Sequence, residues 1–197
     1  MKLFFASHNL DKKKEIEYIV SSEKYLVLYI DDFPKYPEVD ETGSTLEENA
    51  VLKAEAGFQF TGIDTFAEDT GLFVEALNGM PGVLTARYAG ENASYSDNCE
   101  LLLKNMKGLP AEKRRAYFKT VLAFKEKNFV KLFTGICEGK ISEKNTGKNG
   151  FGYDPVFIPN GYEVTFAELE KDVKNRISHR AKAVLSFSEH LKNRFGA

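Results

Sequence analysis

The sequence predicts an α/β protein, and three observations carry that prediction. Short apolar runs that read as strands are followed by stretches with the apolar spacing of helices. A capping box, Thr45-Leu-Glu-Glu48, opens one of those helices. Two long alternating runs, over residues 116–125 and 129–136, meet around Glu126-Lys127-Asn128 and read as joined strands.

Residues 3–6 read as a buried strand bounded by Ser7-His8-Asn9. A helix is expected from about Asp11, with Ile16, Ile19 and Val20 turned toward a core. Residues 25–30 read as a second strand, and Pro34 and Pro37 mark the loop behind it. The capped helix runs to about Phe60 with an apolar stripe of Leu46, Ala50 and Ala54. Asn49 and Lys53 stand four apart on that helix and share one face, where the bland reading makes them surface neighbours. A strand ending at Glu68 and Asp69, a turn at Thr70-Gly71 and a further strand over 72–77 come next, closed by a tight turn at Asn78-Gly79. Pro81-Gly82 begins an irregular segment through Gly90. A helix over 96–106 stops at Gly108. Thr165-Phe-Ala-Glu168 is expected to open a short helix carrying Lys171 and Lys174. The last helix starts after Ser178 and packs through Ala181, Val184, Leu185 and Leu191.

Composition sets wide limits. A chain of 197 residues suits one domain, 1–197, with room for two lobes. Its 43% hydrophobic and 28% charged residues describe an ordinary soluble protein. A net charge of −2 argues against a nucleic-acid binder, though not against a local basic pocket. Cys99 and Cys137 lack metal-type spacing and read as reduced thiols of a cytoplasmic protein. The apolar run near Met1 is short for a signal peptide, and no run approaches the ~18 residues a membrane span needs, so no membrane partner is expected.

The chemistry gathers at acidic pairs beside Thr-Gly dipeptides. Glu68-Asp69 precedes Thr70-Gly71, and Asp40-Glu41 precedes Thr42-Gly43. Taken singly, each is an ordinary turn sequence. Were the pairs to meet, four carboxylates would share one site. Each pair of unit charges ~4 Å apart repels by roughly 4 kcal/mol at an effective dielectric near 20. Such a cluster needs a cation, and oxygen donors without Cys or His favour Mg²⁺ or Mn²⁺. The junction Ser7-His8-Asn9-Leu-Asp-Lys12 couples a strand end to a helix start, where free backbone N–H groups and a lysine make a phosphate cradle. It is not a Walker A loop, whose spacing is absent. Lys53 could reach a phosphate, or simply sit on the surface. Gly147, Gly150 and Gly152 make a glycine-dense loop in which Phe151 and Tyr153 offer flat faces and Asp154 an acceptor. His179 and Arg180 lie in a first helical turn, where basic residues oppose the helix dipole. A ligand's acceptor groups explain them better than helix stability does.

With these residues assembled, the chain resembles the inosine/xanthosine triphosphate pyrophosphatases, the Ham1-like nucleotide house-cleaning enzymes. The matching segments are Ser7 to Lys12, Glu41 to Ala54, Ala67 to Leu72, Pro81 to Gly90, Gly150 to Pro155 and Ile177 to Arg180, in the family's order. The resemblance implies an α/β fold with a long twisted mixed sheet, two lobes around a central cleft, and a homodimer. It implies Mg²⁺-dependent hydrolysis of ITP, dITP and XTP to the monophosphate and pyrophosphate. Carried over by motif, Asp69 is the general base and a metal ligand, with Glu41, Asp40 and Glu68 completing the acidic set. Ser7, His8, Asn9, Lys12 and Lys53 hold the triphosphate, Thr70 contacts substrate, and Phe151, Gly152, Tyr153, Asp154, Lys174, His179 and Arg180 hold the base. The family more often has Asp-Asp-Ser-Gly where this chain has Glu68-Asp69-Thr70-Gly71. Two other classes stay open: a nucleotide-binding regulatory module, which would need no acidic cluster, and a Maf-like or general dNTP pyrophosphatase, which would lack the Phe-Gly-Tyr-Asp and Ser-His-Arg segments.

Overall fold

Twelve regular elements carry the chain in the computed structural model, which describes residues 1–20 and 25–196. They are β1 Lys2–Phe5, α1 Leu10–Val20, β2 Leu26–Leu28, α2 Leu46–Thr61, β3 Thr65–Val74, β4 Pro81–Gly82, α3 Tyr95–Asn105, β5 Arg115–Glu126, β6 Phe129–Ile141, β7 Phe157–Pro159, α4 Lys171–Ile177 and α5 His179–Phe195. The side chain of Val20, expected to face inward, lies outside the described residues. The strands form one mixed sheet in the order β2-β1-β3-β5-β6-β7, with β4 paired to β3. β1 runs parallel to β2 and β3, while β3–β4 and β6–β7 are antiparallel. The α/β class expected from the sequence and the mixed sheet implied by the resemblance are both present.

The chain divides into two compact units. The first comprises Met1–Asp69, Thr120–Gly135 and Arg180–Ala197. Its core sets Leu3, Phe5 and Phe66 of the strands against Ala183, Val184, Phe187 and Leu191 of α5. Phe187 is the hub, with its ring 5.1 Å from Phe66, 5.2 Å from Phe124 and 5.5 Å from Phe133. Aromatic pairs at such separations add to the area they bury. Leu185, expected to pack inward, is instead 48% exposed. α5 buries residues 179, 180, 181, 183, 184, 187 and 191, and the 183, 184, 187, 191 spacing of its middle leaves 185 outside.

The second unit comprises Thr70–Lys119 and Ile136–His179. Phe118, Phe157 and Phe166 form its aromatic centre, with Leu72, Leu102 and Met106 around them. α3 begins at Tyr95, one residue before the expected start, behind a capping box in which Ser94 accepts from the Asp97 N–H. Glu168 does bind back to Thr165, but α4 begins only at Lys171. The box closes a turn rather than a helix, because Glu168 also accepts from the Thr146 hydroxyl and is held by that loop. β2 is shorter than expected, giving way to a 3-10 turn at Ile30–Asp32, and β6 runs on to Ile141.

The largest departure is at β3. The expected turn at Thr70-Gly71 does not exist, and the strand continues unbroken through it to Val74; Glu75–Leu77 is a 3-10 turn. Gly71 serves close approach instead of reversal: a Cβ there would come within 2.7 Å of the Gly82 carbonyl oxygen, where β4 pairs with Leu72. The tight turn at Asn78-Gly79 is as expected, with both residues at positive φ, 51° and 84°.

Candidate active site

In the first unit, Lys53 is the centre of a buried cluster. Its Nζ donates to Glu41 Oε1 at 2.7 Å and to Asp69 Oδ1 at 3.0 Å. It is 9% exposed, so the surface reading of this lysine is corrected. Glu41 is the member of the Asp40-Glu41 pair that reaches it, while Asp40 lies exposed. Asn49 binds the other oxygen of Asp69, donating from Nδ2 to Oδ2 at 3.3 Å. Thr45 caps α2 and so fixes the rotation that points Asn49 and Lys53 the same way, one turn apart.

Glu68 lies next to Asp69 but has different partners, as successive strand residues alternate in direction. Arg180 Nε donates to both its oxygens, at 2.8 and 2.9 Å, and Lys12 Nζ stands 3.4 Å from Oε1. Arg180 Nη1 binds Glu15 of α1. The expectation that four carboxylates converge is therefore corrected. Among the described residues, no group of three or more Asp, Glu, His or Cys side chains is arranged to hold a metal ion. Arg180, expected at the base, has its Nε engaged by Glu68 and its Nη1 by Glu15. Glu15 was missed because nothing local marks an acidic residue in mid-helix as a partner for a residue 165 positions away.

These surroundings push the adjacent carboxyls apart. Burial raises Asp69 above the usual carboxylate range, against the pull of Lys53 and Lys12. Burial acts on Glu68 in the same sense, but Arg180 and Lys12 overcome it and hold its carboxyl low. Burial lowers the Lys12 ammonium, only partly offset by Glu68.

The Ser7–Lys12 junction is less open than expected. Asn9 Oδ1 accepts from the backbone N–H groups of Asp11 and Lys12, both at 3.0 Å, and so caps α1 with the donors a phosphate would use. Ser7 Oγ accepts from the Asn9 N–H at 3.3 Å, and the exposed His8 ring nitrogen sits 3.3 Å from the Pro37 carbonyl.

The second unit holds the glycine-dense loop. Asp154 Oδ2 accepts from the Phe151 N–H at 2.8 Å and from Lys174 Nζ. Gly150 is demanded by this: a Cβ would collide with Asp154 Oδ2, and φ is 73°. Gly147 likewise abuts the Ala167 backbone. Phe151 is half-buried, its ring 5.9 Å from Tyr95 and 5.2 Å from Lys174 Nζ. Tyr153 offers no open face. It is 3% exposed, belongs to the core, and donates its hydroxyl to the Thr85 carbonyl at 3.0 Å. Gly152 accepts from the Cys99 thiol through its carbonyl, and Thr70 is half-buried on β3. His179 is buried with its ring stacked on Phe118, centroids 4.4 Å apart.

Fold and site together define a class: an α/β protein whose mixed sheet bears a buried carboxylate–lysine cluster, with a glycine-rich aromatic loop in its second unit. Residues 3–190 match the Ham1 family. A dITP/XTP pyrophosphatase of Thermoanaerobacter pseudethanolicus is 45% identical over 98% of this chain and 98% of its own length. One from Christiangramia forsetii is 47% identical over 97% of this chain and 99% of its own. The solved structure of a HAM1 protein from Coxiella burnetii superposes with a TM-score of 0.90 at 36% identity, covering 98% of this chain and 99% of that one. The chain belongs to the Ham1 family.

Proposed function

We propose that this chain hydrolyses nonstandard purine nucleoside triphosphates (ITP, dITP and XTP) to the monophosphate and pyrophosphate, with residues 1–197 acting as one catalytic domain. The observation that carries the reading is the Glu41–Lys53–Asp69 cluster, with Lys53 and Asp69 buried and Glu41 half-buried, in a chain whose relatives bear the name dITP/XTP pyrophosphatase. Chemistry at phosphorus consists largely of positioning and charge stabilisation. Lys53 and Lys12 supply positive charge for a triphosphate. Asp69, its carboxyl raised by burial, takes a proton from the attacking water. Glu68 stays ionised and keeps Arg180 and Lys12 in place.

The donor set fits Mg²⁺. Glu41 and Asp69 are hard oxygen donors held together by one ammonium, and Mg²⁺ is usually bound by one or two carboxylates plus substrate phosphates and waters. Glu68 is left out because Arg180 occupies both its oxygens, and Asp40 because it lies exposed. Bound there, Mg²⁺ would neutralise phosphate charge and lower the pKa of a water. In the second unit Phe151 offers a ring to the base, with Lys174, His179 and the Gly152 backbone as polar neighbours. A 6-keto purine presents an acceptor to such donors, whereas adenine presents a 6-amino donor, so ATP is a poor substrate. The same reading makes the protein a cytoplasmic homodimer without nucleic-acid or membrane partners; among the described residues no helix is long and apolar enough to cross a membrane.

Incubation with ITP, XTP, dTTP and ATP plus Mg²⁺ tests this. Pyrophosphate from ITP and XTP is expected. Release of phosphate alone would overturn the reaction type, turnover of ATP within tenfold of ITP would overturn the base reading, and tight binding without product would point to a regulatory module.

A further inference from the structure

α2 carries a second residue of interest one turn before Lys53. Asn49 is fully buried, and both ends of its amide are used. Oδ1 accepts from the Gly43 N–H at 2.8 Å, and Nδ2 donates to Asp69 Oδ2 at 3.3 Å. A backbone N–H can only donate and a carboxylate only accept, so the amide has one orientation that serves both. Gly43 is shaped for the contact, since a Cβ there would come within 2.6 Å of Asn49 Oδ1. Lys53 makes a parallel bridge from Glu41 to the other Asp69 oxygen, Oδ1. One face of α2 therefore ties the 41–43 loop to both oxygens of Asp69.

We infer that Asn49 is a positioning residue, which fixes the rotation of the Asp69 carboxylate and couples it to the Glu41–Gly43 loop. With one oxygen held by Lys53 and the other by Asn49, the carboxylate plane cannot turn about its last bond, and its remaining lone pairs keep one direction. An ionised Asp of the same size lacks the donor, and Leu lacks both. The inference rests on the hydrolase reading, in which displacing the base by about 1 Å costs roughly 10²-fold in rate.

Three variants separate positioning from mere support of the fold. Asn49→Asp keeps size and the acceptor for Gly43 but, ionised, cannot donate to Asp69. Asn49→Ala removes both contacts. Gly43→Ala leaves Asn49 intact and displaces the loop from the other side. Each is assayed for kcat and KM on ITP, for its thermal midpoint, and for hydrogen exchange at the Gly43 amide. Asn49→Asp is expected to lose roughly 10²-fold in kcat with KM within about threefold, while Gly43 exchange stays slow. Asn49→Ala is expected to lose kcat and also to speed Gly43 exchange at least tenfold. Gly43→Ala is expected to lower kcat with KM little changed. The inference is overturned if Asn49→Asp keeps kcat within about threefold of the parent, or if losses in kcat merely follow the midpoint and recover on cooling. A parent that releases no pyrophosphate from any nucleotide fails the hydrolase reading instead; the clamp is then judged by exchange alone, and equal Gly43 exchange in parent and Asn49→Ala overturns it. Should Asn49→Asp not fold, the Gly43→Ala kinetics decide in its place.

Discussion

Arg180 Nε is shared between the two carboxylate oxygens of Glu68, at 2.8 and 2.9 Å, and each residue is only 2% exposed. Breaking a buried ion pair from one side leaves an uncompensated charge and costs about 3–5 kcal/mol. Arg180→Ala is therefore expected to lower stability by that order, read as an earlier urea midpoint with an unchanged slope. The ratio of kcat/KM for ITP over ATP should hold in whatever fraction stays folded. A collapse of that ratio would return Arg180 to the base.

Acid should find the same pair. Arg180 and Lys12 hold the Glu68 carboxyl below its unfolded value of about 4.3. Its contribution is complete above that value and is lost as pH falls through the lower, folded pKa. Stability of the parent should thus drop more steeply than that of Glu68→Gln as pH falls below about 4.3. Denaturant midpoints of the two proteins across that range measure the difference; parallel curves would show that the pair carries no such linkage.

Asp69→Asn is expected to abolish turnover while leaving nucleotide binding within about tenfold, as the amide is nearly isosteric but cannot take the proton. Loss of a general base costs ~10²–10⁴ in rate. Single-turnover kinetics and calorimetric titration of ITP provide the two readings, and activity above a tenth of the parent's would remove Asp69 from the chemistry.

Lys53→Ala and Lys12→Ala should weaken ITP binding far more than IMP binding. Each removes a charge-assisted contact worth roughly 1.5–3 kcal/mol. Lys53→Ala also leaves Glu41 and Asp69 without their shared ammonium, so its loss should exceed that of Lys12→Ala. Equal losses for ITP and IMP would place both lysines away from the phosphates.

What the sequence made legible were the local devices and the residues that carry charge. Thr45-Leu-Glu-Glu48 predicts its helix because both halves of a capping box lie within one turn. Glu41, Lys53 and Asp69 announce themselves as charges near a strand and a helix, and the fold brings them into contact. Asn49 was visible only as a neighbour of Lys53, since periodicity tells which face a residue shares and not what covers it. The ion pairs of Arg180 were hidden because its partners, Glu68 and Glu15, are remote in sequence. Gly71 and Tyr153 failed for another reason. A glycine needed for close approach is written like one needed for a turn, and a core tyrosine like a stacking one.

Helix α5 has a bearing on how the molecule is made. Its Phe187 completes the aromatic core around Phe66, Phe124 and Phe133, and Arg180 at its start balances Glu68. Both are made after the partners they meet, Phe66, Glu68, Phe124 and Phe133. Until they arrive, Glu68 has no guanidinium beside it and Phe66 has the Phe5 ring against it but not that of Phe187, so the first unit's core is incomplete while residues 70–119 and 136–179, which form the second, have already been synthesised. A nascent chain arrested before residue 180 would expose these groups to chaperones and proteases, making the synthesis of α5 the step that completes the first unit.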